Sequence, residues 1–452
     1  MKHASFAQNH GFTFIELMVT IAIISIISVT FLGLFTQTLR FVQVKRIQVH
    51  AAALATEQME LVRNLSFNDV GTQGGIPSGV IPQHQILSRG SINFVVDTDI
   101  FYVDDIFDGT LGGTPNDTLN TDYKQVKITV SWDTPWGADS MFFLTNVSPK
   151  GIETNAGGGT LRINVFDASG VPVPQAEVDV VNTIEGVNLQ NILTSDTGMI
   201  VLPGSPASVD NYQITATKSN FSLDRTYGIN DPLGNVTPDQ RHQSVFTGAT
   251  TEVSFQIDLL SQLRINTFLY QGIDPALPLS LAVSVTGGKI IGEDAASNPV
   301  FKYSAQVTTD AAGGVLLNPI EWDTYTITFP EAAPNYNIIE YSPPIHPISV
   351  LPNTASTITF LFAEPYVQYS LLVTVLDINN SPLFDVSVHL TKTSFYDTTL
   401  TTGASGQVFF GGLPGSGNDY TITLSKPLYT PITNTLSITG NNEYKDQMSL
   451  VP

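Results

Sequence analysis

Gly11-Phe12-Thr13-Phe14-Ile15-Glu16-Leu17-Met18-Val19 opens the segment whose reading decides this fold. Residues 17–39 form a run of 23 without a charge, rich in Ile, Val, Leu and Phe. A run of that length spans a bilayer as a helix. It is too long for the apolar core of a secretory signal, and Arg40, Lys45 and Arg46 follow it where a small-residue cleavage site would stand. Glu16 sits at the start of the run. A carboxylate buried in lipid costs about 2.5–3.5 kcal/mol, and residues of that kind usually serve a function. At the headgroup level the cost would vanish, and Glu16 would then be only an interfacial residue.

The same residues carry a resemblance. A short polar leader (residues 1–11) ends in Gly11 before Phe12, with Glu16 four residues on and an apolar helix behind it. This arrangement resembles the N-terminal signal of type IV prepilins and pseudopilins. The resemblance implies that a prepilin peptidase cuts the Gly11–Phe12 bond on the cytoplasmic side and N-methylates Phe12. It also implies that Glu16 pairs with the Phe12 amine of a neighbouring subunit during assembly, the compensation that a charge in lipid requires. A glycine before the cut lets the scissile backbone approach a membrane-level active site closely. Two features depart from the family pattern. The leader holds Lys2, His3 and His10 in place of several Lys or Arg, so its positive-inside signal is thin. With no cysteine, the chain lacks the disulfide-closed loop of many members.

Beyond the apolar run the helical pattern continues. Val44, Ile47, Ala51, Leu54, Ala55, Val62 and Leu65 recur at helical spacing, helix formers dominate 51–63, and no Pro precedes Pro77. The expectation is one helix over 12–64, about 80 Å long. Residues 17–39 would cross the membrane, Gly33 would be a soft point, and the amphipathic outer half would pack beneath a β head.

A chain of 452 residues exceeds one ordinary core. With 35 Gly, 27 Pro and only 13% charged residues, its body suits short strands and turns. Residues 65–153 read as a small β head with strands at 91–97, 124–132 and 140–147. In the second of these, Val126, Ile128 and Val130 alternate with Lys127 and Thr129. The head resembles those of minor pilins. Thr154-Asn-Ala-Gly-Gly-Gly-Thr160 reads as a flexible hinge.

After the hinge the chain repeats itself. Leu161-Arg-Ile-Asn-Val-Phe-Asp, Leu263-Arg-Ile-Asn-Thr-Phe-Leu and Leu371-Leu-Val-Thr-Val-Leu-Asp each open a unit. Each opener leads through a Pro-containing turn to an alternating strand at 176–181, 281–285 or 386–390. Next come Thr194-Ser-Asp-Thr-Gly, Thr309-Asp-Ala-Ala-Gly and Thr402-Gly-Ala-Ser-Gly, then strands led by Tyr212, Tyr325 and Tyr420. Three units of about 100 residues, at 160–258, 262–363 and 369–452, have the size of immunoglobulin-type sandwiches. Their order of strands and turns resembles the carboxypeptidase-regulatory-like and transthyretin-like sandwich family, whose modules are spacers or binding domains. The second unit carries an insertion around 286–300 and a looser turn. The fold class expected is therefore α+β and multidomain: a long N-terminal helix with a small β head, then three all-β sandwiches.

Residues 1–63 hold five basic and three acidic side chains, which leaves 14 basic and 37 acidic groups in the remainder, a balance of −23. Such a body repels phosphate backbones, so nucleic acid is an unsuitable partner. The seven histidines (3, 10, 50, 84, 242, 346, 389) form no His-Glu-x-x-His zinc motif. Gly287-Gly288-Lys289-Ile290 lacks the glycine spacing and the hydroxyl residue of a phosphate loop, and Gly415-Ser416-Gly417 lacks the frame of a nucleophile elbow. No catalytic, metal or cofactor site is expected, and the chain is read as a non-enzyme. Asp97, Asp99, Asp104, Asp105, Asp108, Asn116, Asp117 and Asp122 crowd one region; they are read as a solvated acidic loop, with calcium as the alternative.

The expected function is that of a minor or tip type IV pilin-like structural protein that displays a β array for adhesion or surface contact. Its partners would be the prepilin peptidase, other pilin subunits met through the helix, the membrane and an unidentified surface ligand. It would begin as a single-pass membrane protein with a cytoplasmic N-terminus and end on the pilus or cell surface. A pseudopilin of a type II-like secretion system and a membrane-anchored surface protein that never polymerises are the alternatives.

Overall fold

The computed structural model describes residues 13–90, 92–107, 109, 114–115, 121–149, 158–272, 275–330, 335–415 and 417–451. Its one described helix, α1, runs over Phe14–Arg63 without interruption at Gly33. Fifty residues at 1.5 Å each make it about 75 Å long. The apolar half is exposed along its length, and it is long and apolar enough to cross a membrane. Within that half the hydroxyls of Thr20, Ser25, Thr30, Thr36 and Thr38 fold back onto carbonyls three or four residues earlier, at 2.7–2.9 Å. Polar groups that reach no water in lipid are thereby satisfied within the helix itself.

The outer half of α1 buries Ile47, Ala51, Leu54, Ala55, Met59 and Val62, one stripe at helical spacing. The stripe packs on an antiparallel meander of β1 (His84–Arg89), β2 (Ile92–Val103), β3 (Tyr123–Thr134) and β4 (Gly137–Val147), in that spatial order. Phe94, Val96 and Ile100 of β2 and Val126, Ile128, Val130 and Trp132 of β3 meet it, because alternate side chains of a strand share a face. Ala51 and Ala55 are fully buried, and their small side chains admit the close approach of helix and sheet. The expected strands were too short: β2 and β3 extend to Val103 and Thr134, and β1 carries no sequence pattern that announced it. The helix–sheet body comprises Met1–Thr160 with Leu202–Pro206.

The second compact body comprises Leu161–Val201 with Ala207–Pro452 and is built of β-sheets. The opener Ser261–Tyr270 lies between Gly314–Ile320, antiparallel to it, and Ala355–Ala363, parallel over nine residue pairs. Ser370–Asp377 repeats this with Gln407–Phe410 antiparallel and Asn441–Met448 parallel. Facing sheets are centred on Ala282–Gly287 and Ser387–Lys392, and each pair encloses its own apolar core. In the first repeat, Glu177–Asn182 pairs with Val187–Leu193 and Ser208–Thr217. Tyr212, Tyr325 and Tyr420 are all fully buried.

The recurrent threonine has a structural task. Thr194, Thr309 and Thr402 are buried, and each hydroxyl donates to a carbonyl (Val173, Leu279, Leu383) while accepting a backbone N–H (Ala176, Leu281, Val386). The glycine four residues later has positive φ in all three turns and accepts the opener strand's N–H through its carbonyl. A Cβ there would strike backbone atoms at 2.4–2.6 Å, so only glycine fits. The second unit shares this device despite its looser turn sequence.

The insertion around 286–300 has partners of its own: Ile290–Glu293 and Pro299–Phe301 form a three-stranded sheet with Thr237–Pro238 of the first repeat. The expected hinge narrows. Residues 154–157 lie outside the described residues, but Gly159 begins a strand, and a Cβ on Gly158 would meet the Ser205 carbonyl oxygen at 2.1 Å. Gly158 is there for close packing rather than for freedom.

Candidate functional site

Thr13 caps α1. Its hydroxyl accepts the Glu16 N–H at 3.3 Å, while Glu16 Oε2 accepts the Thr13 N–H and hydroxyl at 3.2 Å each. This reciprocal capping box satisfies two orphan donors of the first turn, and the helix dipole favours a carboxylate there. The cap occupies one carboxylate oxygen. Glu16 Oε1 has no protein partner among the described residues, so the exposed side chain can hold its own helix end and still accept from an outside cation. Gly11 and Phe12, the expected processing pair, lie outside the described residues.

The described acidic residues at 97–122 do not gather as metal ligands. Asp97 pairs with His84 Nδ1 at 2.8 Å on the outer face of the head sheet. Asp99, two residues on, is held above the usual carboxylate range by burial, with Lys127 opposing. Asp122 accepts the Asp105 N–H. Asp108, Asn116 and Asp117 lie outside the described residues, among which no three His, Asp or Glu gather as metal ligands. The described histidines that take partners do so separately, as His242 with Thr226 and His389 with Asp397. Lys289, the lysine of the phosphate-loop-like stretch, is committed to Glu321 at 2.7 Å and lies 3.1 Å from the Trp322 ring centroid. Ser416 lies outside the described residues.

Lys124 escaped the sequence reading. It is 1% exposed, and its ammonium donates to the carbonyls of Phe67 and Val70 at 2.7 and 2.6 Å, beside the rings of Phe67 and Tyr102. Burial pushes its pKa down to about 8, with Asp69 opposing. The available signal was parity: Lys124 shares the inward face with Val126, Ile128 and Val130. It ties the loop after the helix to the sheet.

The family described as the prokaryotic N-terminal methylation motif matches residues 7–32. The chain is thus type IV prepilin-like at its N-terminus, with an apolar helix suited to membrane anchoring and an α+β architecture whose body is made of β-sandwiches. No curated protein sequence matches the chain. Among solved structures, the TIE protein of Bacillus anthracis is similar over 82% of this chain and 73% of its own, at 14% identity and TM-score 0.19. GBS52, the minor pilin of Streptococcus agalactiae, is similar over 42% of this chain and 97% of its own, at 14% identity and TM-score 0.17. BcpA, the major pilin of Bacillus cereus, covers 65% of this chain and 100% of its own, at 10% identity and TM-score 0.16.

Proposed function

We propose that this chain is a minor or tip type IV pilin-like structural protein that displays its β array on the cell surface for adhesion or surface interaction. The observation that carries the reading is the methylation motif at 7–32, which runs directly into a capped helix with an exposed apolar half and an outer half packed under a β meander. In this reading the peptidase cuts between Gly11 and Phe12 and methylates Phe12. The leader is then 1–11, the assembly helix 12–64 and the head 65–153, with three sandwich repeats at 160–258, 262–363 and 369–452. Glu16 Oε1 receives the Phe12 amine of the neighbouring subunit while Oε2 keeps its place in the cap.

Geometry supports the minor or tip position. Helical assembly repeats one heterologous contact without closure, so every subunit must accept the same neighbours. A thin helix packs at close axial spacing, but most of this chain's mass lies outside it. The −23 body adds repulsion wherever copies crowd within the screening length of about 10 Å. Quantitative mass spectrometry of sheared filaments tests this: a scarce subunit is expected, and abundance equal to the shaft subunit overturns the minor-pilin reading.

A further inference from the structure

In the second body the seam between the second and third repeats holds a cavity of about 280 Å³. Phe329, Tyr336, His346, Phe360, Asn442 and Glu443 contribute to its lining. The rings are fixed from behind. Phe329 stands edge-on to Phe360 and Phe362 at 4.8 and 5.0 Å, and Tyr336 lies against Phe362 at 6.4 Å. The seam itself is fastened. Asn337 and Val367 exchange two hydrogen bonds at 2.7 and 3.1 Å, the Tyr341 N–H donates to Gln407 Oε1 at 2.8 Å, and Leu372 of the third repeat joins the second repeat's core. The cavity is therefore formed before any ligand arrives, which lowers the ordering cost of binding.

Its polar groups keep valences that meet no other protein group among the described residues. Glu443 Oε2 accepts the Tyr341 hydroxyl at 3.3 Å, but Oε1 has no protein partner among the described residues. His346 Nε2 accepts the Ile327 N–H at 2.9 Å, so a neutral ring carries its proton on Nδ1, and that N–H has no protein acceptor among the described residues. Burial holds the His346 pKa below its ordinary value, which keeps the ring neutral at pH 7. Asn442 accepts the N–H groups of Thr439 and Gly440 through its oxygen, which leaves its amide hydrogens to donate. The Tyr336 hydroxyl likewise has no protein partner among the described residues.

We propose that this cavity binds a single neutral pyranose ring. Half-buried aromatic faces beside alternating donors and acceptors suit a molecule with an apolar C–H face and a rim of hydroxyls that both donate and accept. The volume lies at the lower edge of the range of about 300–1,000 Å³ for small-molecule sites, so one ring fits and an extended peptide does not. Among the described residues Glu443 is the only charged lining group, which disfavours anionic sugars and phosphates. The proposal stands whether or not the chain polymerises.

The test is saturation-transfer NMR on the full mature chain in a detergent without a sugar headgroup. The probes are methyl β-glucoside, methyl β-galactoside and N-acetylglucosamine, with sialic acid as the anionic counterpart. Transfer to at least one neutral sugar is expected, strongest on its ring C–H protons, and Tyr336→Ala should weaken that binding by at least about tenfold. Tyr336→Phe keeps the ring packed on Phe362; it should melt as wild type and bind within about threefold of it. No transfer to any neutral sugar at about 10 mM, where a 1 mM Kd would nearly fill the site, overturns the proposal. Preferential transfer to sialic acid, or binding unchanged in Tyr336→Ala, overturns it as well.

Discussion

Replacing Thr402 by valine keeps the side chain's shape and removes one hydroxyl from a site 2% exposed. That hydroxyl donates to the Leu383 carbonyl at 2.6 Å and accepts the Val386 N–H at 3.0 Å, and both bonds are buried. Valine strands one backbone donor and one acceptor. Each unsatisfied buried group costs about 1–3 kcal/mol, so the pair should cost about 2–4 kcal/mol after partial relaxation. For a module of roughly 100 residues that lowers the melting temperature by about 10–25 °C. Thr194→Val and Thr309→Val repeat the experiment in the other two turns. The loss should be largest at Thr309, whose hydroxyl also meets that of Thr267 at 2.9 Å. Serine at the same positions keeps the hydroxyl and should cost about 1 kcal/mol or less. Scanning calorimetry of the detergent-solubilised mature chain, with hydrogen exchange to locate the weakened module, measures all of these. If valine at all three sites stays within about 0.5 kcal/mol of wild type, the threonine is not the clamp of the turn.

Other outcomes follow from the helix and head. Glu16→Gln preserves the capping box but not the charge. It should insert and be processed normally yet enter filaments at least about tenfold less, since a cation left unpaired in lipid costs about 2.5–3.5 kcal/mol; normal incorporation would reduce Glu16 to a helix cap. Mass spectrometry of the mature protein should find N-methylated Phe12 at its start, and an intact Met1 would remove the processing reading. The head's stability should rise with pH from 8 toward the ordinary tyrosine value of about 10. Folded Lys124 loses its proton at about 8 while the unfolded chain keeps it to 10.5, so unfolding takes up a proton in that window. A Lys124→Met variant should lack this slope, and an equal slope in both would assign the effect elsewhere.

What the sequence determined was whatever is encoded between near neighbours. An uncharged run of 23 residues, a glutamate at its start and a 3.6-residue apolar rhythm are local, and they specified α1 and its packing stripe. Repeated Thr-x-x-x-Gly turns and tyrosine-led strands announced the repeats, because the same local problem is solved three times with the same residues. What those residues do was decided in three dimensions. The threonine clamp joins residues 16–21 apart in the first and third repeats, and Lys124 reaches carbonyls 54 and 57 residues upstream. Tyr341 meets Gln407 and Glu443 across 66 and 102 residues, and the 286–300 insertion finds its strand partner near residue 237. A hydroxyl, an ammonium or an edge strand has many possible partners along a chain, and only the packed fold brings one of them within bonding distance.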